Sequence, residues 1–277
     1  MAPQLSGHGL RRGLVTVVTF LPERHIAHIR HVFIKEEDFV VAKSWDEVDM
    51  LVREKPVTAL ILDPAADGVM NVEAVLTLLK NYPSLPVVAY AVLNPASFGA
   101  MLQLTRAGLQ NVVLQRFEDS PQRFRETVER ARGNPLKRKM FEGLKPQLSR
   151  LPRKLVSTVD EMFEWPHRYT SAQDVALRAE MSSVRIYRNF SVAGLGSPKR
   201  MLRAAKLLKA VGYLQDRGYS VRDVAKKVGY RNARIFAEHT LDVFELTPSR
   251  VRSHLAPEDA VEQLLTWLTV VPAIDDE

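Results

Sequence analysis

Two short stretches in the C-terminal half combine arginines with polar side chains. One spans Arg185–Arg188 and the other spans Arg231–Arg234. Guanidinium and amide groups of this kind bind phosphate oxygens and the edges of bases by hydrogen bonds. To bind DNA in this way, the side chains must stand on an exposed helix end. Whether they do depends on the secondary structure of the neighbouring residues.

The residues around the downstream stretch predict two helices joined by a tight turn. Ser220 and Asp223 give a start that resembles a capping box, and Val224 falls on an inward face at helical spacing. Gly229 suits the turn because it has no Cβ. The second helix then carries Arg231–Arg234 near its exposed N-terminal end. This is the arrangement of a helix-turn-helix unit, whose second helix enters the major groove of DNA.

The upstream stretch follows the same plan. Thr170 or Ser171 caps its first helix, and Met181–Ser182 makes the turn. Ser182 or Ser183 then caps its second helix. A long helix that begins after Ser197 separates the two units and would hold them at a fixed spacing. The two units together predict a regulator that binds double-stranded DNA.

Residues 151–255 resemble the DNA-binding domain of the AraC/XylS family of transcription regulators. The resemblance is carried by Asp223–Ala225, Val228–Tyr230, Phe236 and Leu246–Arg252. In this family two recognition helices enter successive major grooves on one face of the duplex. The resemblance implies DNA contacts from Ser182, Ser183, Val184, Arg185, Tyr187 and Arg188 in the first unit, and from Arg231, Asn232, Ala233, Arg234 and Ala237 in the second.

The second unit departs from the family pattern. Glu238–Leu241 stands where the family usually has Arg-x-Phe-Lys, and Glu245 stands where glycine is common. Glu238 and Asp242 would present negative charge to phosphate, so we expect the first unit to dominate affinity. Alternatively, Glu238 accepts a hydrogen bond from a cytosine amino group. A further alternative is a protein–protein adaptor whose helix-turn-helix units have lost DNA binding.

The charge of the chain is concentrated in the region that contains both units. The net charge is +7, but residues 1–134 hold 15 basic and 15 acidic side chains. Residues 135–255 hold 24 basic and 11 acidic side chains, and the last 22 residues have six acids and no base. A basic domain attached to a neutral one is the pattern expected of a protein that binds phosphate backbones.

The N-terminal part alternates strand-like and helix-like segments, which predicts an α/β domain with a five-stranded parallel sheet. The predicted strands are Leu14–Phe20, Phe39–Ala42, Val57–Leu62, Val87–Val92 and Asn111–Leu114. The predicted helices are Pro22–Val32, Ser44–Lys55, Asn71–Asn81, Pro95–Ala107 and Ser120–Ala131. Residues 13–132 resemble a response-regulator receiver domain of flavodoxin-like fold.

The receiver chemistry is incomplete in this sequence. Asp63 aligns with the phospho-acceptor, but Thr19–Pro22 replaces the acidic pair that binds Mg²⁺. Ala91 replaces the hydroxyl residue, and Gln115–Arg116 replaces Lys-Pro. A carboxylate without its metal and its lysine is poorly placed to accept a phosphoryl group. The sequence therefore predicts a pseudo-receiver, and the alternative is a response regulator controlled by phosphorylation of Asp63.

Such a domain would serve dimerisation, or sensing of a partner or ligand. We expect a homodimer through the face formed by residues 95–107 and 111–131. A ligand or protein could also bind at the carboxyl edge of the sheet, and RNA polymerase is a possible partner. The predicted organisation is a receiver-like domain (1–133), a linker or hinge that is partly helical after Pro135 (134–150), the DNA-binding domain (151–255), and a C-terminal helix with an acidic tail (256–277).

Several functional classes find no support in the sequence. No Gly-rich phosphate loop, nucleophile elbow or paired-carboxylate motif occurs, so we expect no enzymatic activity and no cofactor. His25, His28 and His31 share a helix spacing but lack an acidic or cysteine ligand, so we expect no metal site. The chain has no cysteine, its N-terminus lacks a secretory h-region, and no apolar run could span a membrane. We therefore expect a cytoplasmic protein.

Overall fold

The computed structural model describes residues 15–33, 37–92 and 94–269. In the first part, five strands alternate with five helices, as predicted. The elements are β1 (Val15–Phe20), α1 (Glu23–Arg30), β2 (Glu37–Val41), α2 (Trp45–Glu54), β3 (Val57–Leu62), α3 (Val72–Asn81), β4 (Val87–Ala91), α4 (Pro95–Arg106), β5 (Asn111–Leu114) and α5 (Pro121–Arg132). All strand pairs are parallel, in the order β2-β1-β3-β4-β5. Residues 1–14, which include Leu14, and the acidic end of the tail (270–277) lie outside the described residues.

The sheet lies between two layers of helices because its central strands are apolar on both faces. Every residue of β3 and β4 is buried, which is the pattern of a parallel sheet covered on both sides. On one face, Ile29 of α1 and Phe124 of α5 pack with Ile61 and Tyr90. On the other face, side chains of α2, α3 and α4 cover the sheet in a core that continues into the helical part. The predicted α/β fold with a parallel sheet is confirmed.

The second part is all helical. It contains α6 (Pro135–Gly143), α7 (Lys145–Leu148), α8 (Arg153–Glu164), a 3₁₀ turn (Pro166–Arg168), α9 (Ala172–Ala179), α10 (Ser183–Ala193), α11 (Pro198–Leu214), α12 (Val221–Lys227), α13 (Ala233–Phe244), α14 (Pro248–His254) and α15 (Pro257–Thr269). The long helix α11 is central, and α8, α12, α14 and α15 all contact it. Its apolar stripe, which includes Met201, Ala205 and Leu208, is buried as the periodicity predicts.

The segment predicted to be a linker is helical in the structure. Met140, Leu144 and Leu148 are buried, which an exposed hinge would not achieve. Gly143 lies so close to α15 that an added Cβ would be 2.5 Å from a methyl carbon of Leu265. Helices α6 and α7 therefore belong to the helical core, while the domain boundaries themselves stay a prediction.

The α/β part is fastened to the helical part through polar contacts near α12. The Nζ of Lys227 donates to the backbone carbonyl of Val52 at 2.6 Å and also to that of Lys55. The carboxylate of Asp216, which precedes α12, accepts from the backbone N–H of Ser84 at 2.8 Å and from its hydroxyl. Because Lys227 and Asp216 are both buried, these contacts fix the first helix of the second helix-turn-helix unit against the sheet domain.

Candidate nucleic-acid interface

The first helix-turn-helix unit consists of α9, a three-residue turn and α10. Ser171 and Asp174 form a capping box at the start of α9, in agreement with one of the two predicted caps. Glu180 ends α9 in the left-handed conformation, with φ of 53°. The hydroxyl of Ser182 then accepts from the backbone N–H of Arg185 at 3.3 Å and caps α10. These local interactions set the angle at which α10 leaves the turn.

Helix α10 has one buried face and one exposed face. Ile186 and Phe190 are each 1% exposed and anchor the helix in the core. Val184 is 81% exposed and Tyr187 is 40% exposed, although both are large apolar or aromatic residues. The six predicted DNA-contacting residues of this unit are all exposed: Ser182, Ser183, Val184, Arg185, Tyr187 and Arg188. The face thus offers cationic, hydroxyl and apolar groups together, which suits both phosphate and base contacts.

The second unit is built in the same way from α12, a turn and α13. Ser220 and Asp223 form a capping box, as the sequence predicts. Gly229 adopts a φ of +84°, and an added Cβ would lie 2.8 Å from the Cα of His167. Asn232 caps α13 by accepting from the backbone N–H of Arg234 at 2.8 Å. The turn therefore requires glycine for two reasons, its backbone conformation and its contact with the 3₁₀ turn.

Fewer of the predicted DNA-contacting residues are exposed in the second unit than in the first. Arg231, Asn232 and Arg234 are exposed, whereas Ala233 and Ala237 are partly buried. Two adjacent apolar residues, Ile235 and Phe236, follow Arg234; the side chain of Ile235 is 43% exposed and that of Phe236 is buried. The pattern of two adjacent apolar residues could not show which one faces the core.

Each acidic residue of α13 forms an ion pair with an arginine. Glu238 contacts the Nε of Arg234 at 2.9 Å, and Asp242 contacts Arg203 of α11 at 2.6 Å. Exposed pairs of this kind contribute little to stability. They do reduce the charge that Arg234 can offer to DNA. Thr240, which stands where the family usually has phenylalanine, is buried. Its hydroxyl donates to the backbone carbonyl of Phe236 at 2.7 Å.

Two side chains that the motif does not include support the turn of the second unit. Lys206 of α11 donates to the carbonyl of Gly229 at 3.0 Å and lies over the ring of Tyr230. Burial lowers the pKa of Lys206 to about 8. Burial, with the charges of nearby Arg168 and lysines, lowers the pKa of His167 to about 4. The only signal for Lys206 in the sequence is its place among the apolar residues of α11.

The carboxyl edge of the sheet holds Asp63 just beyond β3. This carboxylate is buried, and it accepts from the backbone N–H of Ala65 at 2.9 Å. Burial raises its pKa above the ordinary value. Thr19 and Ala91 are also buried at this edge. Asp63 thus caps its own loop.

The histidines of α1 are occupied by other contacts. His28 pairs through Nε2 with the carbonyl of Asp119 at 3.0 Å, and His25 accepts from Arg24. Within the part of the chain that the structure describes, no group of three or more histidine, cysteine or acidic side chains is placed to hold a metal. Nor does any helix there have the length and apolar character needed to cross a bilayer.

The geometry defines a class of DNA-binding regulators, and comparison with known families agrees. Residues 175–254 match the family model described as a helix-turn-helix domain. These residues are a helix-turn-helix domain of the AraC type, so the predicted resemblance is confirmed. The match supports DNA-binding transcription regulation as the function of this part of the chain.

Two solved structures of regulators are similar to this chain, and no curated protein matches it. The xylose-binding transcription activator xylR is 14% identical with a TM-score of 0.33, over 87% of this chain and 70% of that one. Full-length FixJ from B. japonicum is 9% identical with a TM-score of 0.35, over 84% of this chain and 98% of that one. Both TM-scores are too low to indicate a shared overall arrangement.

Proposed function

We propose that this protein regulates transcription by reading a specific DNA sequence with α10 and α13 in successive major grooves. One observation carries the proposal: two capped, basic helix ends are exposed on a domain built around α11. Helix α11 contacts elements of both units, so their relative position is fixed by a rigid element. The DNA contacts are the eleven residues predicted from the sequence, with α10 contributing most of the affinity.

We also propose that the α/β domain is a pseudo-receiver that is not phosphorylated. Asp63 is buried, its pKa is raised by burial, and it is engaged with its own loop. The residues that stand where a receiver needs an acidic pair and a hydroxyl are Thr19–Pro22 and Ala91. A mass increase of one phosphoryl group after incubation with acetyl phosphate and Mg²⁺, absent in Asp63→Asn, would instead support the phosphorylation-controlled alternative.

The face predicted for dimerisation has exposed apolar side chains. Phe98 and Leu102 of α4 are 60% and 44% exposed, and Phe117 beyond β5 is 69% exposed. We propose that a second copy of the chain covers them, which would place two DNA-binding domains on one dimer and raise affinity through effective concentration. Sedimentation equilibrium of the wild type and Phe98→Asp tests this: a wild type that stays monomeric at micromolar concentration contradicts it. A cytoplasmic location and contact with RNA polymerase complete the proposal.

The test of the main proposal is selection of bound sequences from a random DNA pool. Wild type is compared with Arg188→Ala in α10, Arg234→Ala in α13 and the exposed control Arg30→Ala in α1. We expect an enriched motif with two half-elements about one helical turn apart, and loss of one half-element in each recognition-helix variant. The control variant should enrich the wild-type motif.

The alternative function is a protein–protein adaptor. It is favoured by the two ion pairs that occupy Arg234 and Arg203 with acids of α13. Weak DNA binding that shows no sequence preference and decreases steeply with salt would support the adaptor and contradict the proposed sequence-specific regulator.

A further inference from the structure

A cleft of about 430 Å³ lies where the α/β part meets the helical part. Its walls are the turn into β4 (83–87), the segment between α5 and α6 (133–136), the end of α8 and the middle of α11. None of its lining residues belongs to α10 or α13. The cleft opens at the amino-terminal edge of the sheet, because it is lined by the first residues of β3, β4 and β5. It is therefore separate from both the recognition helices and the Asp63 edge.

The lining of the cleft is mainly apolar. Leu85, Pro86, Leu136, Trp165 and Tyr213 contribute to it from both parts of the chain. Its volume falls within the range of sites for small organic molecules, and such sites combine an apolar wall with a few polar groups. The cleft is thus suited in size and surface to a small molecule with an apolar body.

Three charged side chains line the cleft, those of Arg132, Glu164 and Lys209, and Lys209 stands on α11. Its Nζ lies 5.9 Å from the ring centroid of Trp165 and 5.9 Å from that of Tyr213. Among the described residues, its ammonium has no salt-bridge or hydrogen-bond partner. The Glu164 carboxylate, which also lines the cleft, is bound by Lys137 at 2.9 Å. Burial lowers the pKa of Lys209, so a bound anion would relieve the cost of its charge.

We propose that this cleft binds a small organic carboxylate, with the carboxylate paired to Lys209 and the apolar body packed against Trp165, Tyr213 and the 83–87 turn. Because the walls come from both parts of the chain, such a ligand would stabilise the arrangement in which they are docked. Lys209 lies on α11, the helix between the two helix-turn-helix units. The inferred role is ligand control of DNA binding, and that role rests on the proposed function.

Binding to the cleft is measured on the full chain without DNA, so that the outcome is independent of the proposed DNA-binding function. The probes are phenylacetate, hexanoate and the neutral phenylacetamide, followed by tryptophan fluorescence and by the melting temperature. We expect saturable binding of a carboxylate, and binding of the amide that is weaker by roughly tenfold or more. Equal affinity for phenylacetate and phenylacetamide overturns the proposal, as does the lack of any saturable response to either carboxylate up to about 10 mM.

Two variants locate the site and one controls for charge. Lys209→Met should weaken carboxylate binding by roughly tenfold or more, whereas Lys199→Met, an exposed lysine on the same helix, should bind as wild type does. Gly212 lines the cleft within α11, and a Cβ added there meets nothing within 4 Å. Gly212→Leu should therefore fold well and block the cleft. Unchanged carboxylate binding by a folded Gly212→Leu or Lys209→Met protein overturns the proposal.

If the ligand controls DNA binding, the carboxylate must change DNA affinity by the same factor by which DNA changes carboxylate affinity. If specific DNA binding does not respond to a carboxylate bound in the cleft, the proposal of sequence-specific DNA binding stands and the regulatory role of the cleft is overturned. Carboxylate binding by a protein without specific DNA binding would uphold the cleft and contradict the proposed function.

Discussion

Protonation of His167 is expected to loosen the second helix-turn-helix unit. His167 lies against the turn at Gly229, and its Nε2 is buried without a hydrogen-bond partner among the described residues. Burial and the neighbouring cations lower its pKa from 6.5 to about 4. The folded state therefore holds fewer protons on this group than the unfolded state does. Its contribution to stability is complete above pH 6.5 and is lost as the pH falls from 6.5 toward 4.

The size of the effect follows from these two pKa values. Between pH 7.5 and pH 5, the free energy of unfolding should decrease by about 2 kcal/mol through His167 alone, and the full loss below pH 4 is about 3.4 kcal/mol. Urea denaturation followed by circular dichroism at both pH values measures this loss. In His167→Gln the decrease should be about 2 kcal/mol smaller than in wild type.

Comparison of variants removes the contribution of other groups that titrate in this range. His254→Gln, which alters an exposed histidine in α14, is the matched control variant. A pH-dependent loss in His167→Gln that equals the wild-type loss within about 0.5 kcal/mol would refute the reasoning, since it would mean that His167 carries no shift.

Three further predictions concern the charges and backbone of the helical part. Burial raises the pKa of Asp216 to about 6, so its ionisation destabilises the fold as the pH rises from about 4 to 6. Asp216→Asn should therefore add up to about 3 kcal/mol to the free energy of unfolding at pH 7 and only about 0.5 kcal/mol at pH 4, as measured by urea denaturation. Glu238→Gln releases Arg234, and the slope of log affinity against log salt should steepen by about one unit in binding titrations; an unchanged slope would contradict this. Glu245 has a left-handed φ of 55°, so Glu245→Gly should raise stability by about 0.5 kcal/mol or more in thermal melts, and a lower melting temperature would speak against strain at this residue.

The local elements of this protein follow from its sequence. The alternation of β-branched runs with amphipathic segments predicted all five strands and their helices, because periodicity and burial of both sheet faces are visible along the chain. The caps at Ser171, Ser182 and Ser220, and the glycine turn at Gly229, were likewise predictable from residue type and spacing. The elements of the two helix-turn-helix units and the position of their arginines were therefore predictable from local sequence.

Only the tertiary structure decided the contacts between residues far apart in the chain. The sequence did not show that Lys227 would donate to Val52 and Lys55, or that Lys209 would face a cleft between the two parts. The predicted hinge packs into the helical part because Leu144 and its neighbours find apolar partners in α15 and in the core, contacts that the local sequence does not specify. The sequence alone does not distinguish a charged side chain that is solvated from one that is buried. Its role depends on the groups that folding places around it.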